Sequence, residues 1–319
     1  MWQQPKSLAI VPSTQQSYLH DDICRGDVES IKRHVQLGAE VNPCFCEVTP
    51  AYLAARNGNE ASIRTLAELG ANLNAPNING TTPAYIAAQE GDEATIRALA
   101  ELGANINTPN TDGTTPACIA AQNGHEATIR ALAELGADLN ASNNNGATPA
   151  FIAAQEGHEA SIRALAELGA DLNTSKNDGT TPAFFAAHHG RFEVMKVLVS
   201  LRVSINVVAN NGASPLMVAV QAGHTDVSML LVNVGADVKQ CLQDSAPPGV
   251  TPVREMMSQF CTRVGLPNPD GTDLDTDAYA DVICSLFSLT KLMCCARHDL
   301  CCVDNDTTAN SFDEAHEHL

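Results

Sequence analysis

Apolar and polar positions follow one short pattern that recurs along most of the chain. Residues 146–178 show it clearly, because an Ala-rich apolar stretch around Ala153 is followed by a second apolar stretch. In the second stretch Ile162, Leu165 and Leu168 recur at three-residue spacing, with charged residues between them. Such spacing places the apolar side chains on one face of a helix. The pattern therefore predicts two short helices in each recurrence, the first thin enough for a close neighbour.

Residues that begin and end helices flank both stretches. Thr148 is a suitable N-cap, and Pro149 follows it at the first helical position, where the missing N–H costs nothing. Gly157 ends the first helix, and Gly169 closes the second in the left-handed conformation. Asn177-Asp178-Gly179 then predicts a tight turn that leads into the next recurrence.

The pattern recurs with a period of 33 residues. Thr-Pro or Ser-Pro dipeptides mark the period at Thr49, Thr82, Thr115, Thr148, Thr181 and Ser214. Residues 80–112 and 113–145 agree at 24 of 33 positions. These units resemble ankyrin repeats, in which a Gly-x-Thr-Pro turn, a helix, a Gly break, a second helix and Gly-Ala-Asp-x-Asn follow in order. The resemblance implies an all-α solenoid of stacked helix-turn-helix repeats with β-turn fingers, in which each repeat is stabilised only by its neighbours.

The repeat pattern predicts four kinds of segment. We expect a disordered N-terminal segment over 1–19, a capping repeat over 20–46, and an acidic Cys-rich tail over 245–319 with a helix near 277–297. The six full repeats cover 47–79, 80–112, 113–145, 146–178, 179–211 and 212–244. The last two depart from the pattern, since Arg202 stands where the helix-closing Gly is expected.

One departure from the family occurs in every repeat. Ankyrin repeats usually carry Thr-Pro-Leu-His, with the His bridging adjacent turns by hydrogen bonds. The residues at the His position here are Tyr52, Tyr85, Cys118, Phe151, Phe184 and Met217. We interpret this as apolar packing in place of a polar bridge, which leaves the bonding between turns in question.

The resemblance implies that turn tips and the concave ends of the first helices bind a partner protein. Carried onto this sequence, the partner-binding residues are Arg56, Asn57, Ile78, Asn79, Gln89, Glu90, Thr111, Asp112, Gln122, Asn123, Asn144, Asn145, Gln155, Glu156, Asn177, Asp178, His188, His189, Asn210, Asn211 and Gln221. The central repeats differ mainly here, as expected of a fixed scaffold with a variable surface, although neutral drift at exposed sites gives the same variation. Phe45 and Ile78 are the apolar candidates near the tips, so we expect modest affinity made of many polar contacts.

Composition narrows the class of partner and the compartment. A formal net charge of −19 argues against nucleic acid, whose phosphates require Lys and Arg. No apolar run approaches the length of a membrane span or resembles a signal peptide. The 11 Cys, an odd number, favour reduced thiols inside a cell. We therefore expect a monomeric cytoplasmic protein without a cofactor, with the nucleus as an open alternative.

The tail holds the sharpest chemical motif of the chain. Cys294-Cys295-Ala-Arg-His298-Asp299-Leu-Cys301 resembles the active-site helix of secreted phospholipase A2 enzymes, Cys-Cys-x-x-His-Asp-x-Cys. The resemblance implies that His298 is a general base and Asp299 a calcium ligand. The glycine-rich calcium loop of that family is missing upstream, and only 17 residues follow Cys302. An ankyrin-targeted tail enzyme is therefore the alternative function, and a non-enzymatic scaffold is the main one.

Two further interpretations of the tail remain open. On a helix Cys295, His298 and Cys302 share one face, which is a candidate zinc site. A Cys-rich amphipathic helix that packs on the last repeat explains the same residues without a metal. Asp273, Asp275 and Asp277 alternate as in an EF-hand loop, but the required Gly and Glu are missing, which favours a solvated acidic linker.

Two sets of residues within the repeats could also carry chemistry. His125, His158 and His224 recur just after the mid-repeat Gly, and this register favours a structural role. The adjacent His188 and His189 should point about 100° apart on a helix and so rarely share one ion. Asn140 and Asn173 each follow an Asp-Leu pair and resemble sites of ankyrin asparaginyl hydroxylation. The ordinary role of such Asn side chains is to bond the turn backbone.

Overall fold

The computed structural model describes residues 13–42 and 48–238, and every regular element in these ranges is an α-helix. The helices are α1 Ser13–Arg25, α2 Val28–Gln36, α3 Pro50–Arg56, α4 Glu60–Glu68, α5 Pro83–Glu90, α6 Glu93–Glu101, α7 Pro116–Gln122, α8 Glu126–Glu134, α9 Pro149–Glu156, α10 Glu159–Glu167, α11 Pro182–His188, α12 Phe192–Ser200, α13 Pro215–Ala222 and α14 Thr225–Asn233. The described residues fall into two compact units, which divide between Ala186 and Ala187.

The helices begin where the sequence predicts. Thr148 Oγ1 accepts a hydrogen bond from the backbone N–H of Phe151 at 3.3 Å, and Pro149 occupies the first position of α9. The same capping bond forms at the start of α3, α5 and α7. The predicted caps are therefore confirmed, and they give the first helices a common start.

The first unit consists of two layers of stacked helices. The first helices α3, α5, α7 and α9 pack in sequence against one another, and the second helices α4, α6, α8 and α10 form the other layer. Ile96 and Leu99 on α6 are fully buried, as are the equivalent pairs on the other second helices. This arrangement confirms the predicted all-α class of stacked helix pairs.

The second unit continues the helix pattern with bulkier residues. Val194, Met195, Val197 and Leu198 of α12 are buried, and α14 packs against both α12 and α13. Arg202 closes α12 with a positive φ of 58°, the left-handed conformation that Gly takes after the other second helices. The chain thus keeps the repeat geometry at this position despite the loss of the glycine.

A helix covers part of the N-terminal segment 1–19 that the sequence predicts to be disordered. α1 already begins at Ser13, and Leu19 and Ile23 on it are fully buried. The side chain of Gln16 also exchanges two hydrogen bonds with the backbone of Glu40. Burial and these bonds stabilise a helix that the repeat pattern alone does not mark.

The residues that replace the family's His pack as expected. Tyr85, Cys118, Phe151 and Phe184 are all buried at that position. The doubt about bonding between turns was wrong, because neighbouring turns bond through their own backbones. One such bond runs from Asn144 N–H to the Asp112 carbonyl oxygen at 3.0 Å.

None of the helices in the described ranges has the length and apolarity needed to cross a membrane.

Candidate functional site

The C-terminal ends of the first helices present a row of polar side chains in the first unit. This helix-end row consists of Arg56, Asn57, Gln89, Glu90, Gln122, Asn123, Gln155 and Glu156. The side-chain amides of Gln89 and Gln122 make no hydrogen bond to any residue in the described ranges. Gln155 Nε2 donates to Glu156 Oε1 at 3.0 Å. Gln89 and Gln122 therefore offer amide donors and acceptors that no described residue bonds.

The backbone beneath the helix-end row is fixed by histidines of the following repeat. His125 Nε2 lies 2.9 Å from the Gln89 carbonyl oxygen, and His158 Nε2 lies 2.9 Å from that of Gln122. A carbonyl oxygen can only accept, so each ring donates its Nε2–H. Asn123 Nδ2 also donates to the Gln89 oxygen at 3.0 Å. The structural role predicted for these histidines is confirmed.

The turn tips form a second set of residues in the same unit, all polar except Ile78. This finger row consists of Ile78, Asn79, Thr111, Asp112, Asn144, Asn145, Asn177 and Asp178. Asn77 Oδ1 shapes the first of these turns by accepting from Asn79 N–H and Thr81 N–H, both at 2.9 Å. Asn110 and Asn143 do the same in the next two turns. Ile78 is 65 % exposed, the largest exposure of a large apolar side chain in the described part of the chain.

The fourth turn of the unit is built differently, which the sequence interpretation missed. Lys176 stands where the earlier turns have Asn, and its Nζ lies 5.1 Å from the ring centre of Phe151 and 5.3 Å from that of Phe185. Asp178 takes over the turn and accepts from Thr180 N–H at 3.0 Å. Loss of the Asn at its 33-residue period was the available signal. The result is a half-buried cation held over two aromatic rings.

Most arginines of the first unit lie on the second helices, away from the helix-end row. Arg97 Nη2 lies 2.9 Å from Glu93 Oε1 and 2.7 Å from Glu134 Oε2 of the next repeat. Arg64 and Arg130 form the same double pair. The hydrogen bond to Glu134, and then that to Glu93, raises the pKa of Arg97 further above its ordinary value. We call Arg64, Arg97 and Arg130, together with the glutamates they pair with, the ion-pair ladder.

The helix-end row keeps carboxylates that no described basic side chain pairs with. Glu90 and Glu156 have no ion pair within residues 13–42 and 48–238. Burial raises the pKa of Tyr52, which Arg56 lowers and Glu90 raises by their charges. Arg56 and Glu90 therefore act on the same ring from neighbouring repeats.

In the second unit the predicted binding residues are His188, His189, Asn210, Asn211 and Gln221. The two histidines do not point apart as expected, since their Nδ1 atoms are 3.4 Å apart and their rings meet edge to face. Burial lowers the pKa of His188, and the charges of His189 and His224 lower it further. No group of three or more His, Cys, Asp or Glu that could hold a metal occurs among the described residues.

The candidate hydroxylation sites lie in the turns after the second helices. Asn140 Oδ1 accepts from the backbone N–H of Asp171 at 2.8 Å, which is the ordinary role expected of this side chain. Asn173 N–H donates to Asp171 Oδ1 at 2.8 Å. Hydroxylation of either residue stays a prediction.

Several predicted features lie outside the described residues. They include Phe45 near the turn tips, the tail over 245–319 and its helix near 277–297. The phospholipase-like pair His298 and Asp299, the candidate zinc ligands Cys295, His298 and Cys302, and the alternating Asp273, Asp275 and Asp277 also lie there.

Comparison with known proteins gives a family match and a fold match. The model of a family described as ankyrin repeats in three copies matches residues 19–110, 102–176 and 168–240. A crystal structure of the ankyrin repeat domain of Bcl-3, described as a unique member of the IkappaB protein family, is similar with a TM-score of 0.58 and 25 % sequence identity. That match covers 63 % of this chain and 93 % of the Bcl-3 domain chain. No curated protein sequence matches the chain significantly.

Proposed function

The chain belongs to the ankyrin-repeat family, and we propose that it is a protein–protein interaction scaffold that binds a partner protein through the helix-end row and the finger row. Family membership supports an interaction role in general, because stacked repeats build extended binding surfaces. The particular surface is our proposal.

The observation that carries the proposal is the contrast between a fixed backbone and unused side chains. The carbonyl oxygens of Gln89 and Gln122 are held by histidines of the next repeat, while the amides of the same residues make no bond in the described ranges. A side chain on a fixed backbone loses less conformational entropy when it binds a partner. The row is thus prepared for contacts that the folded chain does not itself make.

The composition of the surface supports a modest affinity. Amides and carboxylates dominate both rows, and Ile78 is the exposed large apolar residue among the row members. Interfaces without buried aromatic anchors lack the residues that usually dominate binding energy. We expect many small polar contacts to share the binding energy.

A capture experiment with the full chain tests the proposal. Alanine at Gln122, Asn123, Gln155 and Glu156 together should abolish capture of a protein partner from source lysate, while circular dichroism shows an unchanged helical signal. A control chain with alanine at Glu40 and Glu68, two exposed carboxylates outside both rows, should capture normally. Retained capture by the four-alanine chain would show that the helix-end row is not the binding surface.

The second unit is proposed as a separate contact surface. Alanine at His188, His189 and Gln221 should reduce capture without a loss of helical signal. Testing it in a separate chain keeps its contribution distinct from that of the first unit.

A further inference from the structure

The helix-end row, if it binds a partner as proposed above, has a chemistry that selects one kind of segment. Gln89 and Gln122 stand at equivalent places in successive repeats, and each amide offers donors and an acceptor without a described partner. A peptide main chain likewise offers one donor and one acceptor per residue. An amide row therefore complements a main chain whatever its side chains are.

The spacing of the row selects an extended conformation. Packed helices lie about 8–10 Å apart, so Gln89 and Gln122 are separated by about that distance along the stack. Three residues of an extended chain span about 10 Å, whereas three residues of an α-helix rise only about 4.5 Å. An extended segment of the polyproline II kind has three residues per turn and no internal hydrogen bonds, so it turns the same side of its main chain toward an amide of the row at every third residue.

The charges of the row select the side chains of the segment. Glu90 and Glu156 lie two repeats apart, and neither has an ion pair with a described residue. The arginines of the ion-pair ladder are already engaged with glutamates on the second helices. Arg56 lies in the repeat before that of Glu90, so the acidic part of the row begins at Glu90. Two repeats correspond to about six residues of extended chain.

We propose that the helix-end row binds an extended, cationic segment of a partner protein, with Gln89 and Gln122 bonding its main chain and Glu90 and Glu156 pairing with Lys or Arg side chains six residues apart.

Labelled synthetic peptides and the full chain test the proposal by fluorescence polarisation. The probe is a 15-residue Gly-Ser peptide with Arg at its fifth and eleventh positions, and the comparison peptide has Glu at both. A third peptide replaces each Gly between the two Arg by N-methylglycine, which removes the main-chain N–H and keeps the charge. We expect the Arg peptide to bind at least about tenfold more tightly than either of the other two.

Variants of the chain assign the effect to the row. The double variants Gln89→Ala/Gln122→Ala and Glu90→Gln/Glu156→Gln should each weaken binding of the Arg peptide about tenfold. The variant Glu40→Gln/Glu68→Gln removes two exposed carboxylates elsewhere and should bind as the unmodified chain does. The Gln89→Ala/Gln122→Ala variant should also become insensitive to N-methylation of the peptide.

Three results would overturn the inference: no binding of the Arg peptide at up to about 1 mM, equal binding of the Arg and Glu peptides, or equal binding to the unmodified chain and both row variants. The proposed function is judged separately by capture of the partner protein. If the four-alanine chain fails to capture the partner while the peptides show any of these three results, the row binds proteins by other chemistry. If capture is also unaffected, the proposed surface fails as a whole.

Discussion

His125 Nε2 donates a hydrogen bond of 2.9 Å to the carbonyl oxygen of Gln89, a residue of the preceding repeat. The bond satisfies an oxygen at the end of α5, where backbone carbonyls lack helical partners. His158 repeats the arrangement with Gln122. One side chain therefore links two repeats and fixes the backbone that presents an unused amide.

Replacing His125 by Ala should lower the free energy of unfolding by about 1 kcal/mol, because a part-buried hydrogen bond between repeats is lost. The matched variant His125→Asp should lose less. At the equivalent place Asp92 caps α6 by accepting from Thr95 N–H at 3.0 Å, and Asp at 125 can cap α8 in the same way. Urea unfolding of the three chains measures the differences. Equal losses for Ala and Asp would contradict the capping argument.

Each of these histidines packs on a glycine of the preceding repeat, and that glycine should tolerate Ala poorly. Gly91 has a φ of +76°, and a Cβ there would lie 2.7 Å from His125 Nδ1. Gly103 has a φ of +85°, but a Cβ there would meet nothing within 4 Å. Gly91→Ala should therefore destabilise the chain by about 1–2 kcal/mol more than Gly103→Ala, which carries the backbone strain alone.

The double variant Gly91→Ala/His125→Ala separates the two causes. Its loss of stability should be smaller than the sum of the losses of the two single variants, because the ring that the new methyl group meets is gone. Strict additivity of the two changes in thermal or urea unfolding would show that the contact with the ring does not matter.

Buried hydroxyls on the second helices should respond in opposite directions to one substitution. Thr128 Oγ1 is buried without a hydrogen-bond partner in the described residues, whereas Thr95 Oγ1 donates to Asp92 Oδ2 at 2.7 Å. Val has nearly the same shape as Thr without the hydroxyl. Thr128→Val should stabilise the chain by about 1 kcal/mol, and Thr95→Val should destabilise it by about as much. Calorimetric melting of both chains measures the sign, and a loss at Thr128 would reveal a partner for its hydroxyl.

The sequence predicts local features of the repeats well and relations between repeats poorly. Thr148, Pro149 and the Asn turns act within a few residues, so their roles follow from their spacing. The pair Arg97 and Glu134 is separated by 37 residues, because the ladder runs diagonally between neighbouring helices and does not follow the 33-residue period. Pairs of this kind depend on how repeats stack, which the composition of one repeat does not specify.

The candidate site shows the same difference between local features and contacts that join two repeats. The members of the helix-end row follow from the repeat register and a family resemblance. The acceptors of His125 and His158 do not, since each is a backbone oxygen of another repeat. The helix that begins at Ser13 was missed because its stabilising bonds come from Glu40, beyond any repeat signal.

Replacing Arg202 by Gly should stabilise the chain. It is the non-Gly residue with positive φ in the described part of the chain, and an L-residue pays for this conformation with a contact between Cβ and its carbonyl. Arg202→Gly should raise the free energy of unfolding by about 0.5 kcal/mol, since greater freedom of the unfolded Gly offsets part of the relief. Arg202→Ala retains the Cβ and should give no gain. A gain with Ala equal to that with Gly would assign the effect to the Arg side chain.

Lys176 stabilises the fourth turn of the first unit by its charge above two aromatic rings, whereas an Asn at this position would stabilise it by hydrogen bonds to the turn backbone. Lys176→Met keeps an apolar stem but removes the charge above Phe151 and Phe185, so it should cost about 0.5–1 kcal/mol. Lys176→Asn also removes the cation, but it supplies the acceptor that Asn143 Oδ1 provides to two backbone N–H groups in the preceding turn. The Asn variant should therefore be more stable than the Met variant in urea unfolding. The reverse order would mean that contact of the long stem with the two rings, and not the ammonium or the turn bonds, selects the residue at this position.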